Sequence, residues 1–312
     1  MNIPEKILVP AYEVSLDTAG LPALQALYNA SLATRPGLED IKSLKSLFDA
    51  VVQSRECISL LNRELEDVGK NLKDTRGVMR DKSYVIFRSH AHSLTMMHRD
   101  TSSFSRESDA SSSAISSLGS DCLVAVQNGS DKVDLGIYKF PSDARIDVFD
   151  PNVVLIGPMR ATLCNGGESI AIYSSNVCTV DQKSPTTFLR LDETRCVPYS
   201  WAFDASSLKP KIISATLPSV ARLQVVLELI DIQYGNNTFG PSDLDALEKL
   251  TTNAYHFVRW KAIQLLFSID RDKGVKLMRR ALSDPHPHVN QAAKSSLIRI
   301  CGEDELSANL AT

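Results

Sequence analysis

The chain has 312 residues, 43% of them hydrophobic and 23% charged, with a formal net charge of −3. That length suffices for two domains and a sizeable core, and the near-neutral charge gives no global bias towards nucleic acid or membranes. No apolar run approaches the ~20 residues of a membrane-spanning helix, and the start "MNIPEKILVPAYEVSLD" lacks the basic-then-apolar order of a secretory signal. The six cysteines are scattered, without a C-x-x-C pair, and read as reduced thiols of a cytosolic protein.

The first segment, 1–82, is expected to be helical. "LPALQALYNAS" (21–31) reads as one short helix, ended by "RPG" at 35–37. A long helical pattern follows from about Leu38 to Leu72. Leu44, Val51, Ile58, Leu65 and Leu72 recur every seven residues, with Ile41 and Phe48 in the partner positions. Arg55, Asn62 and Gly69 interrupt the seam later, while Leu47, Leu61 and Val68 widen it, as in a helix packed on its own protein. A homodimer seam through 38–72 is the competing expectation.

From about 83 to 216 the period changes to alternation. Runs such as "YVIFRSHAHSLTMMHR", "CLVAVQN", "VDLGIYKF", "ARIDVF", "VVLIG", "MRATLC", "SIAIYSS", "TTFLRL", "YSWAFD" and "KIISATL" are rich in β-branched and aromatic residues. Turn clusters such as "QNGSDK", "DPN" and "NGGE" separate them, so the segment reads as an antiparallel β-barrel or sandwich. Between its first two runs, residues 100–121 hold ten serines in 22 positions and read as a loop.

From 217 to 312 helical periodicity returns, with one internal repeat. At an offset of 31 residues, Val258 falls on Val289, Ala262 on Ala293, Leu266 on Leu297 and Ile269 on Ile300. A small residue at mid-helix lets two helices approach closely while the flanking aliphatics fill the groove. At these residues, and in "ALSDPHPHVNQAAKSSL" above all, the sequence resembles the HEAT-like repeats, helix pairs that stack into solenoids. The first copy, "TTNAYHF", lacks the Asp-Pro turn, and Asn290 stands where Arg259 keeps the usual arginine. The resemblance implies a scaffold that binds a protein partner.

Between Asn253 and Ile300 nine Lys or Arg face three Asp. An acidic protein partner is therefore expected to meet Arg259, Lys261, Arg279 and Arg280, ahead of any nucleic acid.

Half of the histidines lie in "RSHAHSLTMMHRD": His90, His92 and His98. On one continuous strand they share a face, and the H-x-H of His90 and His92 faintly resembles the first metal motif of the cupin barrels. That resemblance implies a divalent metal on His90 and His92, and an oxygenase or isomerase as the alternative function. The motif's glutamate position holds Met96 or Met97, and no histidine occurs between Arg99 and Tyr255. "DPHPH" reads as a helix start.

The sequence therefore leans towards a non-catalytic interaction protein without a cofactor, of α+β class. N-terminal helices precede a cupin-like β-domain for docking or ligand binding, and HEAT-like helices follow. A small-molecule-sensing regulator is a further alternative. An open pocket with convergent polar groups would favour the enzyme or the sensor; a solid apolar core would favour the scaffold.

Overall fold

The computed structural model describes residues 7–8, 20–35, 39–70, 78–80, 83–100, 114–233 and 240–301. The fold is α+β: N-terminal helices, central antiparallel sheets and C-terminal helices. No helix among the described residues is long and apolar enough to cross a membrane. The chain forms two compact units, Met1–Thr216 and Leu217–Thr312. Most of the serine-rich run, 101–113, lies outside the described residues.

In the first unit, α1 spans Pro22–Ala33. The long helical pattern after it is broken into a 3-10 turn at Ile41–Leu44, then α2, Lys45–Ser54, and α3, Glu56–Lys70. Arg55, in the left-handed region at φ 56°, makes the break. Beyond it the buried face rotates off the seven-residue stripe: Cys57 and Leu60 are buried, while Leu65 is 69% exposed. The break also places Glu56 where it caps another helix. Its Oε1 accepts from Ala23 N–H (3.1 Å) and its Oε2 from Leu24 N–H (2.7 Å). Leu21, at the N-cap of α1, makes no side-chain cap of its own, so a buried carboxylate from α3 satisfies those two donors.

Among the described residues, fourteen strands occur in the order β1 Ile7–Leu8 (ahead of α1), β2 Val78–Arg80, β3 Ser83–Arg88, β4 His92–Arg99, β5 Ala114–Ser116, β6 Cys122–Asn128 and β7 Lys132–Lys139. The rest are β8 Ile156–Cys164, β9 Ile170–Ile172, β10 Asn176–Asp181, β11 Thr186–Glu193, β12 Arg195–Cys196, β13 Tyr199–Asp204 and β14 Pro210–Ala215. A six-stranded sheet runs β2-β3-β4-β11-β6-β9, and two three-stranded sheets run β10-β7-β8 and β14-β13-β5. All these pairings are antiparallel.

The six-stranded sheet is apolar on both faces, and strict alternation sorts its residues. Leu94 and Met96 of β4, Leu123 and Ala125 of β6, and Leu189 and Leu191 of β11 share a core with Leu24, Leu27, Phe48 and Val51 of the helices. From the other face, Cys122, Val126 and Phe188 pack against Val133, Leu135, Ile137 and Leu163 of the β7–β8 hairpin. The helices and the sheet thus form one structural body, with the β-sandwich on one side of the six-stranded sheet.

Several sequence expectations shift in detail. The 84–99 run is a hairpin: the chain folds back at Ser89–Ala91, where Ser89 N–H donates to His92 O (2.8 Å). The Ser89 hydroxyl accepts from Ala91 and His92 N–H (3.1 and 3.0 Å) and stabilises the turn. Only Ile156 and Gly157 of "VVLIG" join "MRATLC" in β8, whereas "ARIDVF" forms turns. Ile146 of that stretch is buried with Phe140, Trp201 and Phe203, and its carbonyl accepts the Trp201 indole N–H (2.7 Å). "NVCTVD" forms β10, which the sequence did not announce.

The second unit contains α4 Pro218–Gln233, α5 Pro241–Leu250, α6 His256–Ile269, α7 Arg271–Ala281 and α8 Pro287–Cys301. Helix α6 packs against each of the other four. The repeat is the core of this unit: Val258, Ala262 and Leu266 and their counterparts Val289, Ala293 and Leu297 are all buried. Helices α6 and α7 approach so closely that a Cβ on Gly274 would lie 2.2 Å from the Phe267 Cα.

Candidate functional site

The β-sandwich is not packed solid. Between the six-stranded sheet and the two smaller sheets lies a partly open cavity of about 440 Å³. Its walls are mostly apolar, with Met97, Leu118, Leu135, Ile172, Val180 and Phe188 contributing. Into this lining come two arginines, Arg99 from β4 and Arg190 from β11, with the thiols of Cys122 and Cys178.

The same alternation that builds the core places these groups. Odd positions of β4 and even positions of β11 face the sandwich, so Arg99 follows Met97 and Arg190 follows Phe188. Arg190 is half-buried and paired with Asp192: Nε reaches Oδ1 at 2.7 Å and Nη2 reaches it at 2.5 Å. The Asp192 carboxylate holds the Arg190 guanidinium well above its ordinary range. Ser120 Oγ donates to the same carboxylate oxygen (3.2 Å), fixing the pair.

Arg99 differs. It is solvent-exposed, and the carbonyl of its backbone accepts from Gln182 Nε2 (3.1 Å). Burial of part of its side chain, and then the charge of Arg190, lower its guanidinium from the usual value. No carboxylate is paired with it among the described residues. Burial also pushes the Cys122 thiol up to about 12 and the Cys178 thiol up to about 11, so both remain protonated and are poor nucleophiles and ligands at neutral pH.

The histidines of the H-x-H stand elsewhere. His92 has the parity of Leu94 and Met96, and so faces α1: its Nδ1 lies 3.2 Å from Ser31 Oγ, itself 2.6 Å from Ser89 Oγ. It is 3% exposed, and burial, with His90 adding a smaller effect, lowers its pKa to about 4. His90 lies in the hairpin turn, with Nε2 3.0 Å from Thr34 O at the end of α1. His98 lies far along β4, with Nδ1 3.1 Å from Thr187 Oγ1 and Nε2 3.1 Å from Asp100 Oδ1. Both ring contacts of the H-x-H are thus to α1, and no histidine or carboxylate lines the cavity among the described residues. The donor set there does not fit a cupin-type metal. Glu168, in the turn between β8 and β9, contacts Lys45 (3.4 Å), which is also bonded to Asp49 (2.6 Å).

In the helical unit, two of the four cations expected to meet a partner are tied within the unit. Arg259 forks onto Asp284 (2.7 and 2.8 Å) and Lys261 reaches Asp231 (2.6 Å). Arg279 and Arg280 are exposed in the last turn of α7.

The cavity arginines carry a signal in the sequence. In "TTFLRL" and "LTMMHR" an arginine occupies the same face as apolar neighbours two residues away, where alternation predicts a core position.

No family model matches the chain, and no curated protein does. Among solved structures, one similarity is to a hydroquinone 1,2-dioxygenase, PnpCD, in complex with Cd2+ and 4-hydroxybenzonitrile. It has 11% identity and a TM-score of 0.24, and covers 35% of this chain and 61% of that one. A second is to a hydroquinone 1,2-dioxygenase from Sphingomonas sp. TTNP3 with 4-hydroxybenzoate bound. It has 12% identity and a TM-score of 0.25, and covers 37% of this chain and 67% of that one. A third, the vicilin from Solanum melongena, has 10% identity and a TM-score of 0.19, and covers 38% of this chain and 32% of that one. Likenesses at these scores carry no argument about fold or activity.

Proposed function

We propose that the β-domain binds a small, largely apolar molecule bearing one anionic group, such as a carboxylate, in the sandwich cavity. The observation that supports this is the convergence of Arg99 and Arg190 on an apolar space of about 440 Å³. Small-molecule sites are of this kind: on the order of 300–1,000 Å³, apolar, with a few placed polar groups. Asp192 neutralises one of the arginines. The other, Arg99, has no carboxylate paired with it among the described residues, and an incoming carboxylate would meet it in a charge-assisted, fork-shaped hydrogen bond.

The open cavity moves the balance from a scaffold towards a binding or sensing protein. The thiols beside Arg190 stay protonated, and the described lining offers neither a general base nor a metal-ligating set.

The test is a fluorescence titration with 8-anilinonaphthalene-1-sulfonate, an apolar anion, beside Nile red, which is neutral. The reading predicts saturable binding of both probes. Arg99→Met should weaken the anion roughly 10- to 100-fold, as loss of a charged hydrogen bond implies, and leave Nile red unchanged. Equal weakening of both, or none, would contradict it.

A further inference from the structure

We infer that the helical unit carries a binding site for a divalent transition metal of the Zn2+ class, formed by His256, His286 and His288. The site lies in Leu217–Thr312 and is independent of the sandwich cavity.

The internal repeat builds it. Helix α6 begins at His256 and α8 at Pro287, so the 31-residue repeat places histidines at the start of both helices. His286 precedes Pro287, and His288 follows it in the first turn of α8. The side chains converge. The His256 and His286 rings stack at 3.7 Å with 5° between their planes. His288 stands edge-on to both, at 5.2 Å from His286 and 5.8 Å from His256. One ring nitrogen from each residue lies within 4.8 Å of the other two. This is the one such group of three among the described residues.

The frame around the rings is fixed. Arg259, in the first turn of α6, forks onto Asp284 and also donates to the carbonyls of Asn253 and Ala254 (2.8 and 3.1 Å). Asp284 Oδ1 in turn accepts the His286 backbone N–H (2.8 Å). These bonds tie the two turns to one another through Arg259 and Asp284. Burial is graded across the site: His286 is 5% exposed, His256 is half-buried and His288 is exposed. One side is therefore open for entry of an ion and for a water or an exogenous ligand in a fourth position.

Coordination requires a small rearrangement. Three nitrogens at about 2.0–2.1 Å from a tetrahedral ion lie roughly 3.3 Å apart, closer than the outer limit here, and parallel rings cannot both aim their in-plane lone pairs at one point. The stack must therefore open, with His256 tilting and the exposed His288 swinging in. His286 Nδ1 now receives a long contact from His288 N–H (3.3 Å); binding through Nε2 would place a proton on Nδ1 and give up that contact. The positive ends of α6 and α8 oppose a cation, which argues for an imidazole-seeking ion and against Ca2+ or Mg2+.

The experiment is a titration of the full-length, untagged, metal-stripped protein with Zn2+ by calorimetry, paired with Co2+ followed by visible absorption. The wild type should bind one equivalent, compete with Co2+ for the same site, and show the Co2+ bands of a low-coordinate nitrogen site. His288→Ala, at an exposed position and with its fold checked by circular dichroism, should abolish the stoichiometric event. His256→Asn should do so too, while a His90→Ala, His92→Ala double variant should not. No binding by the wild type, binding unchanged in His288→Ala, or binding lost only in the His90, His92 variant would each overturn the assignment. Ca2+ should produce no heat, and a Ca2+ response matching Zn2+ would also count against it.

Discussion

His92 couples the fold to pH. Its ring is held neutral between Ser31 and the β3–β4 turn, with a pKa near 4 against an ordinary 6.5. In the unfolded chain it gains a proton as pH falls through 6.5, whereas in the folded protein it does so only near 4. Its contribution to stability is therefore complete above the unfolded value, and declines as pH drops from 6.5 towards 4. By linkage, moving from pH 7 to pH 5 removes about 2 kcal/mol through this one group. The perturbation is His92→Asn, whose amide can still meet Ser31 but does not titrate. Urea unfolding would be followed by Trp201, wholly buried in the first unit, in a Trp260→Phe background so that no second indole reports. The difference in stability between pH 7 and pH 5 should shrink by about 2 kcal/mol in the variant. An identical pH dependence with histidine and asparagine would refute the reasoning.

Two structural predictions test the frame around the sites. Glu56→Ala strips the Ala23 and Leu24 amides of their acceptors at the start of α1 and should destabilise the first unit by about 3 kcal/mol; a loss under about 0.5 kcal/mol in urea unfolding would show that water replaces the carboxylate. Gly274→Ala forces α6 and α7 apart and should lower the stability of the helical unit by roughly 1–3 kcal/mol, read from Trp260 fluorescence, while Trp201 reports no change.

The sequence made the class of the fold legible because its two periodicities are physical. Alternation in "CLVAVQN" and "TTFLRL" assigns each side chain to the helical core or to the sandwich. The repeated Val–Ala–Leu spacing marks the buried stripe of α6 and α8. What failed was local. The turn at Ser89–Ala91 has no glycine or proline, and a serine hydroxyl does the turning, so the run from Tyr84 to Arg99 looked continuous. Arg55 adopts a left-handed conformation that a heptad pattern does not reveal. "ARIDVF" alternates, yet it serves as an apolar plug under Trp201.

The histidines show the same division. The "RSHAHSLTMMHRD" cluster is dense in sequence and the helical one sparse, although the 31-residue offset carries His256 onto position 287, between His286 and His288. The cavity arginines were legible in principle, since each breaks an apolar face at a core-facing position. Their convergence was not, because it depends on β4 pairing with β11 across a separation of about 90 residues.

The most direct test of the central claim is to fill the cavity. Val180 lines it and is only half-buried, so Val180→Trp should occupy the space without disturbing the sheets. Binding of naphthalene-1-carboxylate and of its neutral amide would be measured by calorimetry on wild type and variant. The account predicts that the wild type prefers the carboxylate and that Val180→Trp, folded by circular dichroism, binds neither. Undiminished binding to the filled protein, or no preference for the anion in the wild type, would contradict it.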